Sequence, residues 1–190
     1  MSYDGEVIVL RDEVSLDDLL ELAAEQGWVL RGETARAHLV LASRRWTSRE
    51  GVEVTYVADH PGGAQSLRIV GKAATRVARN LREKVSAFTE DELLAVVLDD
   101  ADPDPVACIR VASKLAACRP EVADAKHLQA IEALLAHREP AVRRAGIRST
   151  YGCRWPELRN IVDRRLAQET ALTPQLEHLQ RYLAEDPPAG

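Results

Sequence analysis

Three prolines, Pro105, Pro140 and Pro174, recur at intervals of 35 and 34 residues, and each opens a stretch with helical spacing of apolar residues. Proline suits the first turn of a helix, where its missing N–H would have no partner, and it breaks the helix anywhere further in. Partner segments begin near Glu90, Asp124 and Pro156, at spacings of 34 and 32 residues. A helical hairpin of about 35 residues cannot bury both of its apolar faces by itself, so a repeat of that length requires neighbours on either side. The pattern predicts three antiparallel pairs: Glu90 to Leu98 with Pro105 to Cys118, Asp124 to His137 with Pro140 to about Tyr151, and Pro156 to Glu169 with Pro174 to Glu185.

Upstream the periodicity is different. Glu6 to Leu10 is a short β-branched run, read as a first strand. Ser15 and Asp18 form a capping pattern ahead of Leu16, Leu19, Leu20 and Ala23, and Gly27 supplies a residue suited to ending the helix. Trp28-Val29-Leu30 starts or precedes the next strand. From Ala37 to Val70 the period is two: Leu39, Leu41 and Ser43 alternate with Val40, Ala42, Arg44 and Trp46, then Val52, Val54, Tyr56 and Ala58, then Leu67 and Ile69. The connections Thr47 to Gly51 and Asp59 to Ala64, the latter with His60-Pro61-Gly62-Gly63, are rich in turn formers. Lys72 to Val85 returns to helical spacing, with Arg76, Arg79 and Arg82 on its polar side.

The expected class is therefore α+β. An N-terminal antiparallel sheet with two helices, in the order β-α-β-β-β-α over residues 1–85, precedes a short α-solenoid over 86–185 and a tail at 186–190. Ser86 to Thr89 is expected to be a short joint, because Thr89 to Glu92 already reads as a helix cap.

Function classes are narrowed mainly by what the residues do not form. Cys108, Cys118 and Cys153 are odd in number and lack CxxC spacing, which disfavours a disulfide framework and a standard zinc cluster. The two in Ala- and Val-rich helical patterns read as small hydrophobes. The histidines His38, His60, His127, His137 and His178 are scattered, with no HExxH pair and no nucleophile motif. Gly71-Lys72 fails as a phosphate loop, since Ser66 stands where the first glycine belongs and Ala73 where the magnesium hydroxyl belongs. No cofactor and no metal are expected. No apolar run approaches the roughly 18 residues of a membrane span, and the start lacks a secretory pattern, so the expected compartment is the cytoplasm.

Net charge is −5, but it is unevenly distributed. Residues 90–104 hold seven acids and no base, whereas 138–165 hold eight arginines against Glu139, Glu157 and Asp163. The segment Leu134-Leu-Ala-His-Arg-Glu-Pro-Ala-Val-Arg-Arg-Ala145 resembles the HEAT-type repeat, whose inter-helix turn reads acid, Pro, any residue, Val, Arg. Glu139, Pro140, Val142 and Arg143 carry that match. Asp104-Pro105-Val106 keeps it without the Arg, and Thr173-Pro174-Gln175-Leu176 keeps only the proline. The tetratricopeptide pattern shares the period but its Trp, Gly and Tyr landmarks are missing. The resemblance covers about half of the chain and implies a stack whose second helices line one face.

Residues at equal offsets then align across that face. With an offset of 34, Arg110, Arg144 and His178 form one row, and Lys114, Arg148 and Tyr182 a second. Tyr151 and Trp155 lie at the junction of the second and third hairpins, beside Arg154. Aromatic and arginine side chains dominate binding energy at many interfaces, so these eight residues, Arg110, Lys114, Arg144, Arg148, His178, Tyr182, Tyr151 and Trp155, are the expected partner-binding set. For Trp155 a seal of the core between repeats is the favoured reading, because large aromatic side chains bury well at such joints.

The expected role is a non-enzymatic protein-interaction module with an acidic protein partner. It resembles bacterial adaptor and immunity proteins as a class, the immunity role being favoured by small size, acidic net charge and missing catalytic motifs. The alternative is a HEAT-like nucleic-acid binder with an Arg-lined groove, which the net charge of −5 and the acidic 90–104 segment disfavour.

Overall fold

The computed structural model describes residues 5–35, 42–59, 63–100, 102–153 and 155–185. Leu39, Val40 and Leu41 of the expected meander, His38, His60 to Gly62, Arg154 and the tail 186–190 lie outside the described residues. The chain divides into two compact units, Met1–Glu90 and Asp91–Gly190.

The first unit is built on a six-stranded antiparallel sheet with strand order β2-β3-β4-β5-β1-β6. The elements are β1 (Gly5–Leu10), α1 (Leu16–Glu25), β2 (Val29–Thr34), β3 (Ala42–Thr47), β4 (Glu53–Asp59), β5 (Ala64–Val70), α2 (Ala74–Arg82) and β6 (Ala87–Phe88). Alternation places Ile8, Leu10, Trp46, Val54, Tyr56, Leu67 and Ile69 in one core, which Leu19, Leu22 and Ala23 of α1 and Ala74, Ala78 and Leu81 of α2 share. The expected capping box is present: Ser15 Oγ accepts from the Asp18 N–H at 3.2 Å, and Asp18 Oδ2 accepts from the Ser15 N–H at 2.8 Å. Gly27 ends that helix region at φ +64°, the left-handed conformation that glycine adopts without strain.

The strand order corrects the expected β-α-β-β-β-α. Val29–Thr34 is a full strand paired with β3, and Ala87–Phe88, expected within a joint, pairs with Val9 and Leu10 of β1. Both escape an alternation search because both are edges. β2 carries Arg31, Gly32 and Glu33 and is mostly exposed, with Val29 at 51% and Leu30 at 48%, so one buried face never selects its residues. A bulge between Leu30 and Gly32 also breaks its period.

The second unit is helical: α3 (Glu90–Leu98, whose first residue closes the first unit), α4 (Pro105–Cys118), α5 (Ala125–Ala136), α6 (Pro140–Thr150), α7 (Glu157–Leu166) and α8 (Thr173–Ala184). Asp104 Oδ2 accepts from the Ala107 N–H at 2.8 Å and Asp124 Oδ1 from the His127 N–H at 3.0 Å, so α4 and α5 begin on side-chain caps. Helices α5 and α6, and α7 and α8, pack as hairpins. Across hairpins α4 packs on α6 and α6 on α8, while α5 packs on α7.

The apolar remainder of the α5–α6 hairpin is covered by the α7–α8 hairpin: Ile131, Leu135 and Ile147 join Leu158, Ile161, Val162, Leu176, Leu179 and Leu183 in one core. Gly146 sets how closely α5 and α6 approach, because a Cβ there would stand 3.0 Å from Leu134 Cβ and 3.2 Å from the Leu134 carbonyl carbon. Among the described residues no helix is long and apolar enough to cross a membrane.

Candidate functional site

The turns come first, because they position the face. The guanidinium of Arg143, in the first turn of α6, donates to the carbonyls of His137 (2.9 Å) and Arg138 (2.8 Å) and grips Glu169 with Nε–Oε2 at 2.5 Å and Nη2–Oε1 at 3.2 Å. Glu169 in turn accepts from the backbone N–H groups of Thr170, Ala171 and Leu172 at 2.8 to 3.2 Å, which satisfies donors ahead of α8. The two side chains are only 15% and 9% exposed. Arg143 with its hydrogen bonds, followed by the backbone bonds, holds the Glu169 carboxyl below the usual carboxylate range. One pair therefore ties the α5–α6 turn to the α7–α8 turn.

On the outside of α6, Arg144, Arg148 and Tyr151 stand at i, i+4 and i+7 and share one side of the helix. Arg144 and Arg148 are exposed, as is Arg110 on α4. Among the described residues none forms an ion pair or hydrogen bond with these three guanidinium groups. Most other arginines of the unit are engaged: Arg119 with the carbonyls of Ala116 and Tyr151, Arg138 with Asp102, Arg159 with the Leu183 carbonyl, Arg164 with Glu132 and Arg165 with Gln168.

At the end of this row three rings meet. Tyr151 Oη lies 2.7 Å from His178 Nδ1, its ring is tilted against His178 at 5.7 Å and edge-on to Tyr182 at 5.3 Å. Tyr182 Oη accepts from the Gly152 N–H at 2.9 Å. Burial, and then the Tyr182 hydroxyl, push the Tyr151 phenol up, so it stays a neutral hydroxyl able to donate to the imidazole. His178 is itself exposed. The two α8 residues that sequence registration aligned with Arg144 and Arg148 thus stand beside the C-terminal end of α6.

Two expected members do not belong to this surface. Lys114 is only 5% exposed, on α4 beside the buried Val111 and Leu115. Trp155 is likewise 5% exposed, packs in the inter-hairpin core, and donates from Nε1 to the Glu121 carbonyl at 3.1 Å. It seals the core and is withdrawn from any partner. Conversely, Arg181 lies outside the expected set. It is exposed at i+3 from His178 and unpaired among the described residues, and the helical spacing alone could have pointed to it.

The thiols offer little chemistry. Burial, reinforced by Asp104, pushes Cys108 up, and burial outweighs the opposing Arg119 to push Cys153 up, so both favour the unreactive S–H form. Cys118 is partly buried and points its Sγ at the Leu115 carbonyl at 3.7 Å.

The chain matches no family model, no curated protein and no solved structure.

Proposed function

We propose that the helical unit is a protein-binding module of HEAT-like construction that takes an acidic segment of a partner on the outer face of α4, α6 and α8, without catalysing a reaction. The observation that carries this reading is the set of exposed guanidinium groups, Arg110, Arg144 and Arg148, with no anion among the described residues, in a unit whose other arginines are mostly engaged. Arginine presents a rigid fork of donors that matches carboxylates two bonds at a time. The Tyr151, His178 and Tyr182 rings add a preorganised aromatic edge, the type of group that contributes much of the binding energy at interfaces. The HEAT-like part of the reading is supported by Glu139, Pro140, Val142 and Arg143 in the turn where Arg143 binds two carbonyls.

Fluorescence anisotropy of a labelled oligoglutamate peptide and of a labelled DNA duplex, at several salt concentrations, tests the proposal. Saturable peptide binding that is lost in the Arg144→Glu, Arg148→Glu double variant supports it. Tighter binding of the duplex, with a steep dependence on salt, would move the assignment to nucleic acid.

A further inference from the structure

The same unit carries a feature of opposite sign. The turn between α3 and α4 and the turn between α5 and α6 enclose an open cleft of about 340 Å³, lined by Val97, Asp100, Asp102, Cys108, Leu134 and Arg138 among others. Val97, Cys108 and Leu134 are buried and make an apolar floor, while Asp99, Asp100 and Asp102 at the turn are exposed. Asp102 pairs with Arg138 at 3.2 Å, but both side chains are more than half exposed, a geometry in which an ion pair contributes little and exchanges readily. Among the described residues no cation engages Asp99 or Asp100. The Asp100 carboxylate accepts the Asp102 N–H at 3.0 Å.

An apolar floor beneath a carboxylate rim suits a long side chain with a methylene stem and a cationic head, which is arginine or lysine, and it suits arginine better because guanidinium is the more weakly hydrated. Such side chains stand unengaged on the same molecule, at Arg144 and Arg148 one and two turns into α6. We infer that the acidic segment taken by the arginine face includes Asp99, Asp100 and Asp102 of a second copy of this chain, whose cleft receives Arg144 and Arg148. Complementarity of charge selects that occupant: residues 90–104 hold seven acids and no base, and no other stretch as long in the chain is so one-sided. This rests on the proposed use of the arginine face and specifies what that face binds.

The contact joins two different patches, so it pairs copies reciprocally about a two-fold axis or adds them head to tail. Either way it is electrostatic and weakens with salt.

The test is sedimentation velocity on the full chain over a concentration series, at low salt and at about 0.5 M salt, for wild type, for Asp99→Lys with Asp100→Lys, and for Arg144→Glu with Arg148→Glu. The inference expects the wild type to associate at low salt, at least about tenfold more weakly at high salt, and each variant alone to be monomeric. An equimolar mixture of the two variants should associate again, because the charges are exchanged across the contact. Circular dichroism of the variants, and the neutral pair Asp99→Asn with Asp100→Asn, separate lost contact from lost fold. A wild type that stays monomeric throughout at low salt, or association that neither variant changes, overturns the inference. The lysine variant also separates this inference from the reading beneath it, since it leaves the arginine face intact. Oligoglutamate binding that persists while self-association is absent sinks only the second copy; loss of peptide binding by the wild type sinks both.

Discussion

Arg143 and Arg144 are adjacent in the chain and belong to two different regions of the helical unit. Arg143 faces the turns, where it is bound to two carbonyls and to Glu169 with little of either side chain exposed. Arg144 faces away, with Arg148 a turn further on, and touches no anion among the described residues. The same side chain thus serves as an internal fastener in one region and as an unoccupied donor in the other. The lesson is that an arginine-rich stretch counts toward binding only after the guanidinium groups used internally have been subtracted.

That contrast sets the order of the expected effects. Arg143→Ala leaves Glu169 without its cation and the His137 and Arg138 carbonyls without their donor, and should lower unfolding free energy by about 2 kcal/mol. Urea denaturation followed by circular dichroism reads this directly, and a loss under about 1 kcal/mol would place Arg143 with the exposed group instead.

The clamp also has a pH signature. Because the folded-state Glu169 carboxyl is held low by Arg143, its contribution is complete above the ordinary glutamate range near about 4.3 and is lost as pH falls through the lower folded value. Stability of the wild type should therefore fall on the acid side more than that of Arg143→Met, in which the shift is largely removed. Parallel acid-side slopes for the two proteins would contradict the assignment.

Gly146 comes next in size. Alanine there gains about 1 kcal/mol of helix propensity, but its Cβ meets backbone of α5 at 3.2 Å, so repacking should outweigh the gain and leave a net loss of about 1 kcal/mol. A melting temperature that rises in Gly146→Ala would show that α5 and α6 can separate without penalty. Tyr151→Phe, which deletes a partly exposed hydrogen bond to His178, should lose about 0.5–1 kcal/mol. Smallest of all, Arg144→Ala and Arg148→Ala should each leave stability within about 0.5 kcal/mol of wild type while weakening oligoglutamate binding. A larger loss of stability in either would erase the distinction between the two regions.

Much of the architecture is legible in the sequence, for local reasons. Pro105 and Pro140 at first helical positions, the Asp104 and Asp124 caps, and the Ser15–Asp18 box act within a few residues and can be read directly. The stripes on α4 and α6 could be read because period 3.6 is rigid. What stayed hidden depends on contacts distant in sequence. Lys114 looks polar in any pattern, yet it is buried. Trp155 reads from the sequence as a seal of the core more than as an interface residue, and the packing of α5 to α8 around it bears that reading out. The Arg143–Glu169 pair spans 26 residues and two turns, and nothing in the sequence of either turn names the other. The edge strands β2 and β6 have no single buried face, so alternation could not report them.

The irregularity in β2 has a protective effect for the first unit. β2 is the longer outermost strand of the sheet, β6 being only two residues, and its exposed Val29 and Leu30 would attract a strand from another molecule. The extra residue near Arg31 throws the outward amides and carbonyls out of step and brings a charge to the rim, so an approaching chain meets donors and acceptors at the wrong intervals. Edge-to-edge growth of the sheet into fibres is thereby discouraged at the strand where it would otherwise begin.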